Sequence, residues 1–396
     1  MISEIRSAYN SAFTDKKYQA FLDHIANAYN HTPSFRIAET PVFVPRKLGT
    51  HLFNACEEIT DLICSPGFKE MTQGAINDVF YVPQESNRTL FLQMDFGITK
   101  NENGELFPKL IEVQGFPSLY FYQDLVANAY HDFFNVPDQL NHLFGGLNSE
   151  SYIELLRKCI VADEDPKQVV LLEIEPDSQT TRIDFLGTAH HLGIKVLCIS
   201  DLKKDGRKVY YLDESDKRID IKRIYNRVIF DELMQRTDLK REFRFRDPAD
   251  VHWVGHPNWF YRISKYTLPF IDSQYCPKTW FVSELDDIPG DLENYVLKPL
   301  FSFAGSGVKI NVTRDDIVSI KDPENYILQE KVNYMPVVET PDGNAKCEIR
   351  MLMLWQIGQE RPVMVNNLAR LSKGEMIGVK YNKDKTWVGG SVAFFE

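Results

Sequence analysis

Residues 295–308 read YVLKPLFSFAGSGV, and the reading of this stretch decides the fold. A β-prone run delivers Lys298 and then breaks into a loop carrying Ser302, Gly305, Ser306 and Gly307. Glycine lets backbone N–H groups come close to a phosphate, and the lysine sets a point charge beside them. Pro299 keeps Lys298 extended and ends regular pairing on that side. Working outward, a second lysine, Lys265, stands upstream in RISKYTLPFI, and YILQEKV (326–332) follows downstream. In that strand, alternation puts Gln329 and Lys331 on one face and Glu330 and Val332 on the other. Such a strand beside a nucleotide offers backbone groups to a base and a carboxylate to a ribose. Each piece alone has a plainer reading: a solvated lysine, or a strand reaching the surface. The order lysine, lysine, glycine loop, Gln–Glu strand is what carries weight.

A second constellation lies far upstream. TLFLQMDFGIT (89–99) and LFPKLIEVQ (106–114) are strand-like and joined through KNENGE, whose Asn-Gly pair signals a hairpin. If Asn103-Gly104 is a two-residue turn, Asp95 lies opposite Glu112 and Gln93 opposite Gln114, all on one face. Facing carboxylates repel and weaken a ladder unless a cation sits between them. Two carboxylates plus substrate phosphates is the set magnesium prefers. The competing reading, two solvated acids, fits poorly beside Phe91, Leu92, Leu110 and Ile111. Pro108 disturbs the ladder and makes a bulge part of the expectation.

The C-terminal strands CEIRMLMLW (347–355) and VMVNNLARLSKG (363–374) place Glu348 and Arg350 on a shared face. Arg350 and Arg370 are candidates to neutralise a transferring phosphoryl group, with a cross-strand salt bridge as the structural alternative. Arg182 and Arg227 are candidates for a substrate carboxylate, though nothing in the sequence separates them from surface arginines. An unpermuted metal site at Glu348 with Asn366 and Asn367 is a further option. His190, His191, His252 and His256 lack metal-ligand spacing, and no Gly-x-Ser-x-Gly or Cys/His pairing supports nucleophilic catalysis.

The chain has 396 residues, enough for two or three structural units. Its six scattered cysteines, with no CxxC pair, suit a reducing, cytoplasmic compartment rather than a disulfide framework or zinc site. A net charge of −11 argues against a nucleic-acid surface, and no apolar run is long enough for a membrane helix. Three regions are expected. Residues 1–165 form an N-terminal region, mainly helical over 1–80 and again over about 119–131 and 149–161, that carries the hairpin. Residues 166–255 form an α/β unit in which QVVLLEIE, a helix and GIKVLCIS make a small parallel βαβ arrangement. Residues 256–396 carry the lysines, the glycine loop and the C-terminal strands.

Residues 256–332 resemble the nucleotide-binding portion of the ATP-grasp superfamily, in which two lysines and a glycine loop clamp ATP between two α+β lobes. Lys265, Lys298, the Ser302–Gly307 loop and the Gln329–Val332 strand match that pattern in order. Ordinary members carry an acid and then Glu-x-Asn after the nucleotide strand. Here Glu112-x-Gln114 and Asp95 come far upstream, an inversion similar to the circular permutation of glutathionylspermidine synthase-like ligases. The resemblance puts Asp95, Glu112 and Gln114 in the metal-ligand places. Gln93 replaces the family's arginine and Gln114 its asparagine, so Arg350 or Arg370 would have to take over the phosphate contact. The amidase region of the bifunctional members has no counterpart, so polyamine and glutathione specificity do not carry over.

The resemblance implies an α+β ATP-grasp fold with two lobes, circularly permuted. It also implies an ATP- and Mg2+-dependent carboxylate–amine ligase working through an acylphosphate on small-molecule substrates. The expected roles are Lys298, Arg350 and Arg370 in catalysis, and Lys265, Lys298, Ser302, Gly305, Ser306, Gly307, Gln329, Glu330 and Val332 at the nucleotide. The rival expectation is a catalytically silent nucleotide-binding sensor or scaffold. The identities of the two substrates and the oligomeric state are not legible in the chain.

Overall fold

The computed structural model describes residues 1–396 apart from 77, 80, 303–305, 376, 378–381 and the side chain of Asp231. Gly305 therefore lies outside the described residues. The central element is a five-stranded antiparallel sheet in the spatial order Gly389–Ser391, Val363–Ser372, Lys346–Leu354, Phe91–Lys100, Leu106–Gln114. The early hairpin and the C-terminal strands are thus neighbours in one sheet. Alternation gives this sheet two unlike faces. Leu92, Met94, Phe96, Ile98, Ile349, Met351 and Met353 point into the largest apolar core. The helix Arg46–Ile63 covers that face with Leu48, Leu52, Ala55, Ile59 and Ile63, a single stripe at helical spacing. The opposite face carries Gln93, Asp95, Glu348 and Arg350, all buried.

The hairpin register differs from the turn arithmetic near its tip. Lys100 pairs with Leu106, and Asn101 closes a longer loop in which its side chain accepts from the Asn103 and Glu105 N–H groups. A bulge then takes up one residue: Phe96 pairs with Leu110, but Asp95 pairs with Glu112 and Gln93 with Gln114. The bulge falls at Ile111, not at Pro108, which pairs with Ile98 inside the ladder. The two departures from the ideal hairpin cancel where the acids meet.

Two further sheets flank this one. Thr279–Phe281, Tyr326–Glu330 and Tyr295–Pro299 form an antiparallel sheet with the lysine strand at one edge. His252–Val254, Arg223–Asn226, Val169–Glu173 and Lys195–Cys198 form a parallel sheet in that spatial order. Its chain runs from Val169–Glu173 outward to one side and then back to the other. Such a reversal is where sheets of this kind open a crevice at the carboxyl ends of their strands, and Glu173, Asn226 and Arg227 lie at that end, all buried. Among the described residues no helix is long and apolar enough to cross a membrane.

Candidate nucleotide site and its charged neighbours

The lysine strand meets the hairpin. Lys298 is 8% exposed, and its Nζ donates to Gln329 Oε1 at 2.6 Å and to the Ile111 carbonyl at 3.1 Å. Ile111 is the bulge residue, so the irregularity in the ladder brings a carbonyl to the lysine. Burial lowers the Lys298 pKa to about 8, with Glu112 opposing that shift and Lys265 adding to it. Gln329 is fixed in turn by donating to Thr279 Oγ1 at 3.1 Å.

Lys265 opens a short 3-10 turn, Lys265–Phe270, behind Ser264, whose hydroxyl accepts from the Tyr266 N–H. Its Nζ donates to the Ser302 carbonyl at 2.6 Å and lies 3.4 Å from Glu112 Oε1. Both lysines, from separate segments, therefore converge on residues 111–112 of the hairpin and on the start of the glycine loop. Gly307 has φ +73, and a Cβ there would press on Pro299 at 3.0 Å. Beyond it the chain rejoins the lysine strand through paired Leu297 and Lys309 backbone bonds. Ser306 is exposed. Glu330 accepts from the Lys278 N–H, so its carboxylate is tied to the neighbouring chain, and Val332 is half-buried just past the strand.

The polar face of the five-stranded sheet holds a second group. Asp95 is 1% exposed and stands directly opposite Arg350. Its Oδ1 accepts from Arg350 Nε, and its Oδ2 accepts from Arg350 Nη2 at 2.7 Å and Arg370 Nη2 at 2.9 Å. Burial pushes the Asp95 pKa up, but the two guanidiniums outweigh it and hold the carboxyl below its ordinary value. Arg350 Nη1 donates to Gln93 Oε1 at 3.1 Å, so Gln93 receives a guanidinium from the adjacent strand. Arg370 also bonds Glu348, its direct cross-strand partner. The other Glu348 oxygen accepts from Tyr334 at 2.8 Å. The Tyr334 ring lies over Gly97, where any Cβ would meet it at 2.7 Å.

These groups bear on a divalent cation. Glu112 is partly exposed, and Gln114 beside it donates to Glu112 Oε2 at 3.1 Å, leaving the Gln114 carbonyl oxygen available. That pair fits an ion arriving with phosphates. Asp95 differs, since its two oxygens take three guanidinium N–H groups where those of Glu112 face one lysine and one amide. Among the described residues no three His, Cys, Asp or Glu side chains gather as a metal cage. Asn367 holds backbone groups of His142 and Ala393, and Glu348 is occupied by Arg370 and Tyr334. In the unpermuted alternative Glu348, Asn366 and Asn367 are thus already engaged within the protein, Asn366 by accepting the Asn367 N–H.

No family model matches this sequence, and no curated protein is significantly similar to it. Among solved structures, a glutathione synthetase-like effector from Globodera pallida, in its apo form, superposes with a TM-score of 0.55. The match covers 95% of this chain and 97% of that one, at 13% identity. The chain therefore shares the overall fold of that glutathione synthetase-like protein. At that identity the likeness concerns architecture alone.

Several residues with site-like surroundings were not distinguished in the sequence. Arg227 is buried, sandwiched between Phe116 at 4.8 Å and Phe185 at 5.1 Å, and donates to the Pro117 carbonyl. Its Nη1 lies 3.9 Å from the buried Asp184 carboxylate, while among the described residues its Nε and the neighbouring Asn226 Nδ2 have no hydrogen-bond partner. Glu173, at the end of the adjacent strand, has its pKa pushed up by burial to about 8, against the opposing pull of Arg227. Their signal is positional: they end buried parallel strands. Arg182 instead pairs with the exposed Asp177 at 2.9 Å. Tyr334 lies in an aperiodic loop, and no sequence feature would have singled it out.

Proposed function

We propose that the protein is an ATP-dependent carboxylate–amine ligase. The observation that carries this reading is the meeting of Lys265, Lys298 and Glu112 at one cleft, beside a sheet face lined by Arg350 and Arg370. The four cations face three carboxylates, Asp95, Glu112 and Glu348, so the cluster is locally positive within a chain of net charge −11. A locally positive, largely buried cluster suits a polyphosphate. The early position of the hairpin, paired with the Lys346–Leu354 strand, supports a circularly permuted order of the fold.

In this reading Lys298 and Lys265 leave their carbonyl partners for ATP phosphate oxygens, and Gly305, Ser306 and Gly307 cover them. Gln329 and Glu330 lie beside the base and ribose, with Val332 at the end of that strand. Mg2+, held by Glu112 with Gln114, would neutralise phosphate charge. A substrate carboxylate oxygen attacks the γ-phosphorus, its P–O bond forms and the β–γ bridge breaks, releasing ADP. An amine then adds to the acylphosphate carbonyl and expels phosphate, leaving an amide. Arg227, at the crevice of the parallel sheet, is the candidate partner for a substrate carboxylate. Positioning and water exclusion supply most of the rate.

The rival, a nucleotide-binding module without turnover, is favoured by Gln93 and Gln114, which stand where the resemblance has arginine and asparagine. One assay separates them: ADP formation against pools of amino acids, short peptides and polyamines. Amine-dependent ADP release, lost in Lys298→Met, is expected. ATP binding with no turnover across the panel would establish the rival.

A further inference from the structure

The pattern of the hairpin puts Asp95 in a metal-ligand place, and the geometry points to a different task. We propose that Asp95 is a positioning residue: it locks Arg350 and, together with Glu348, holds Arg370 as the arm that reaches the transferring phosphoryl group. It does not ligate the cation. This rests on the ATP-dependent reading above and assigns a division of labour within it.

A carboxylate offers about four lone-pair sites. Three guanidinium N–H groups already point at the Asp95 oxygens. A divalent cation at the remaining site would lie against two guanidiniums, a repulsion that the facing Glu112 carboxylate, itself 3.4 Å from Lys265, would have to offset alone. The two arginines differ in what they have left. Arg350 is 9% exposed, and its Nε, Nη1 and Nη2 each have an acceptor, two on Asp95 and one on Gln93. It has no reach. Among the described residues Arg370 is anchored through Nη2, between Asp95 and Glu348, and its buried Nε has no hydrogen-bond partner. Its side chain is 38% exposed. A guanidinium held at one nitrogen by two carboxylates, with donors left over, is set up to accept an oxyanion. Tyr334 completes the mount by donating to Glu348 from above Gly97. Gln93 passes the chain of bonds on, donating to the Ser118 carbonyl at 3.1 Å next to the Tyr120–Phe133 helix.

Two probes separate the roles. Metal-free inorganic tripolyphosphate reports the anion site, and Mn2+ titrated with ATP present, followed by electron paramagnetic resonance, reports the cation site. In Asp95→Asn, tripolyphosphate affinity is expected to fall about tenfold while the Mn2+ midpoint moves less than about twofold. Glu112→Gln is expected to do the reverse. A Mn2+ midpoint shifted as far by Asp95→Asn as by Glu112→Gln overturns the assignment. If Asp95→Asn does not fold, Arg370→Gln takes its place, and unchanged tripolyphosphate affinity in that variant overturns it. Wild-type protein that fails to bind ATP with Mg2+ defeats the ligase reading instead. The assignment is then judged on Mn2+ alone: binding lost in Asp95→Asn, or absent from the wild type, overturns it, and binding indifferent to Asp95 but weakened in Glu112→Gln upholds it.

Discussion

Asp95 and Glu173 are both acids on strands, 1% and 4% exposed, yet their protonation runs in opposite directions. Asp95 is held below the ordinary carboxyl range because two guanidiniums outweigh its burial. Glu173 is carried up to about 8 because burial outweighs the pull of Arg227. One carboxylate is met by guanidiniums and stays charged; the other accepts only the Ile174 N–H among the described residues and is mostly protonated at pH 7. The difference teaches that depth alone does not set a buried acid's charge. A cation in direct contact does. It also separates two kinds of site: a pre-paired array on the five-stranded sheet, and an incompletely satisfied crevice at the end of the parallel sheet.

The comparison breaks most readily at Arg350. Arg350→Met would leave the Asp95 carboxylate buried with one weakened partner, and breaking a buried pair costs about 3–5 kcal/mol. Urea unfolding at pH 7 measures it. The deficit should shrink toward acid: a depressed carboxyl contributes stability above its unfolded value and loses it as pH falls through the folded one. An equal deficit at pH 7 and at low pH would mean that Asp95 is not the partner that matters.

A middling effect is expected at Gly97, on the rim of the answered array. Gly97→Ala drives a methyl into the Tyr334 ring and should cost about 1–3 kcal/mol, measured by thermal unfolding. Tyr334→Ala in the same background should relieve most of that loss by removing the clash. If it relieves none, the ring is not what requires glycine there.

The last effect belongs to Glu173, and it is smallest near pH 5. Its folded pKa is raised to about 8, so between the unfolded carboxyl value and 8 the native state binds more protons than the unfolded state. Stability therefore falls as pH rises through that window. Glu173→Gln should be close to neutral at pH 5 and more stable than wild type at pH 9, read from paired denaturation curves. The opposite sign would show that the crevice holds a compensating cation.

Much of the architecture was legible in the sequence. The Tyr120–Phe133 and Ser149–Ile160 helices, the hairpin, the βαβ unit and the strand bearing Lys298 follow from apolar period and turn residues, which act between near neighbours. The pairing of Asp95 with Glu112 was reached by a turn geometry the protein does not use, with the bulge at Ile111 restoring the register. Arg227 looked like any surface arginine because burial is not written in a residue's immediate neighbours.

The sequence by itself determined which side chains share a face, since alternation along a strand requires only the strand. It also determined that a lysine, a glycine loop and a Gln–Glu strand follow one another. Only the tertiary structure decided which charge answers which. The arginines that hold Asp95 stand 255 and 275 positions away along the chain. Whether an acid meets a metal or a guanidinium depends on which strand lies beside its own, and that pairing is set by the packing of the whole sheet.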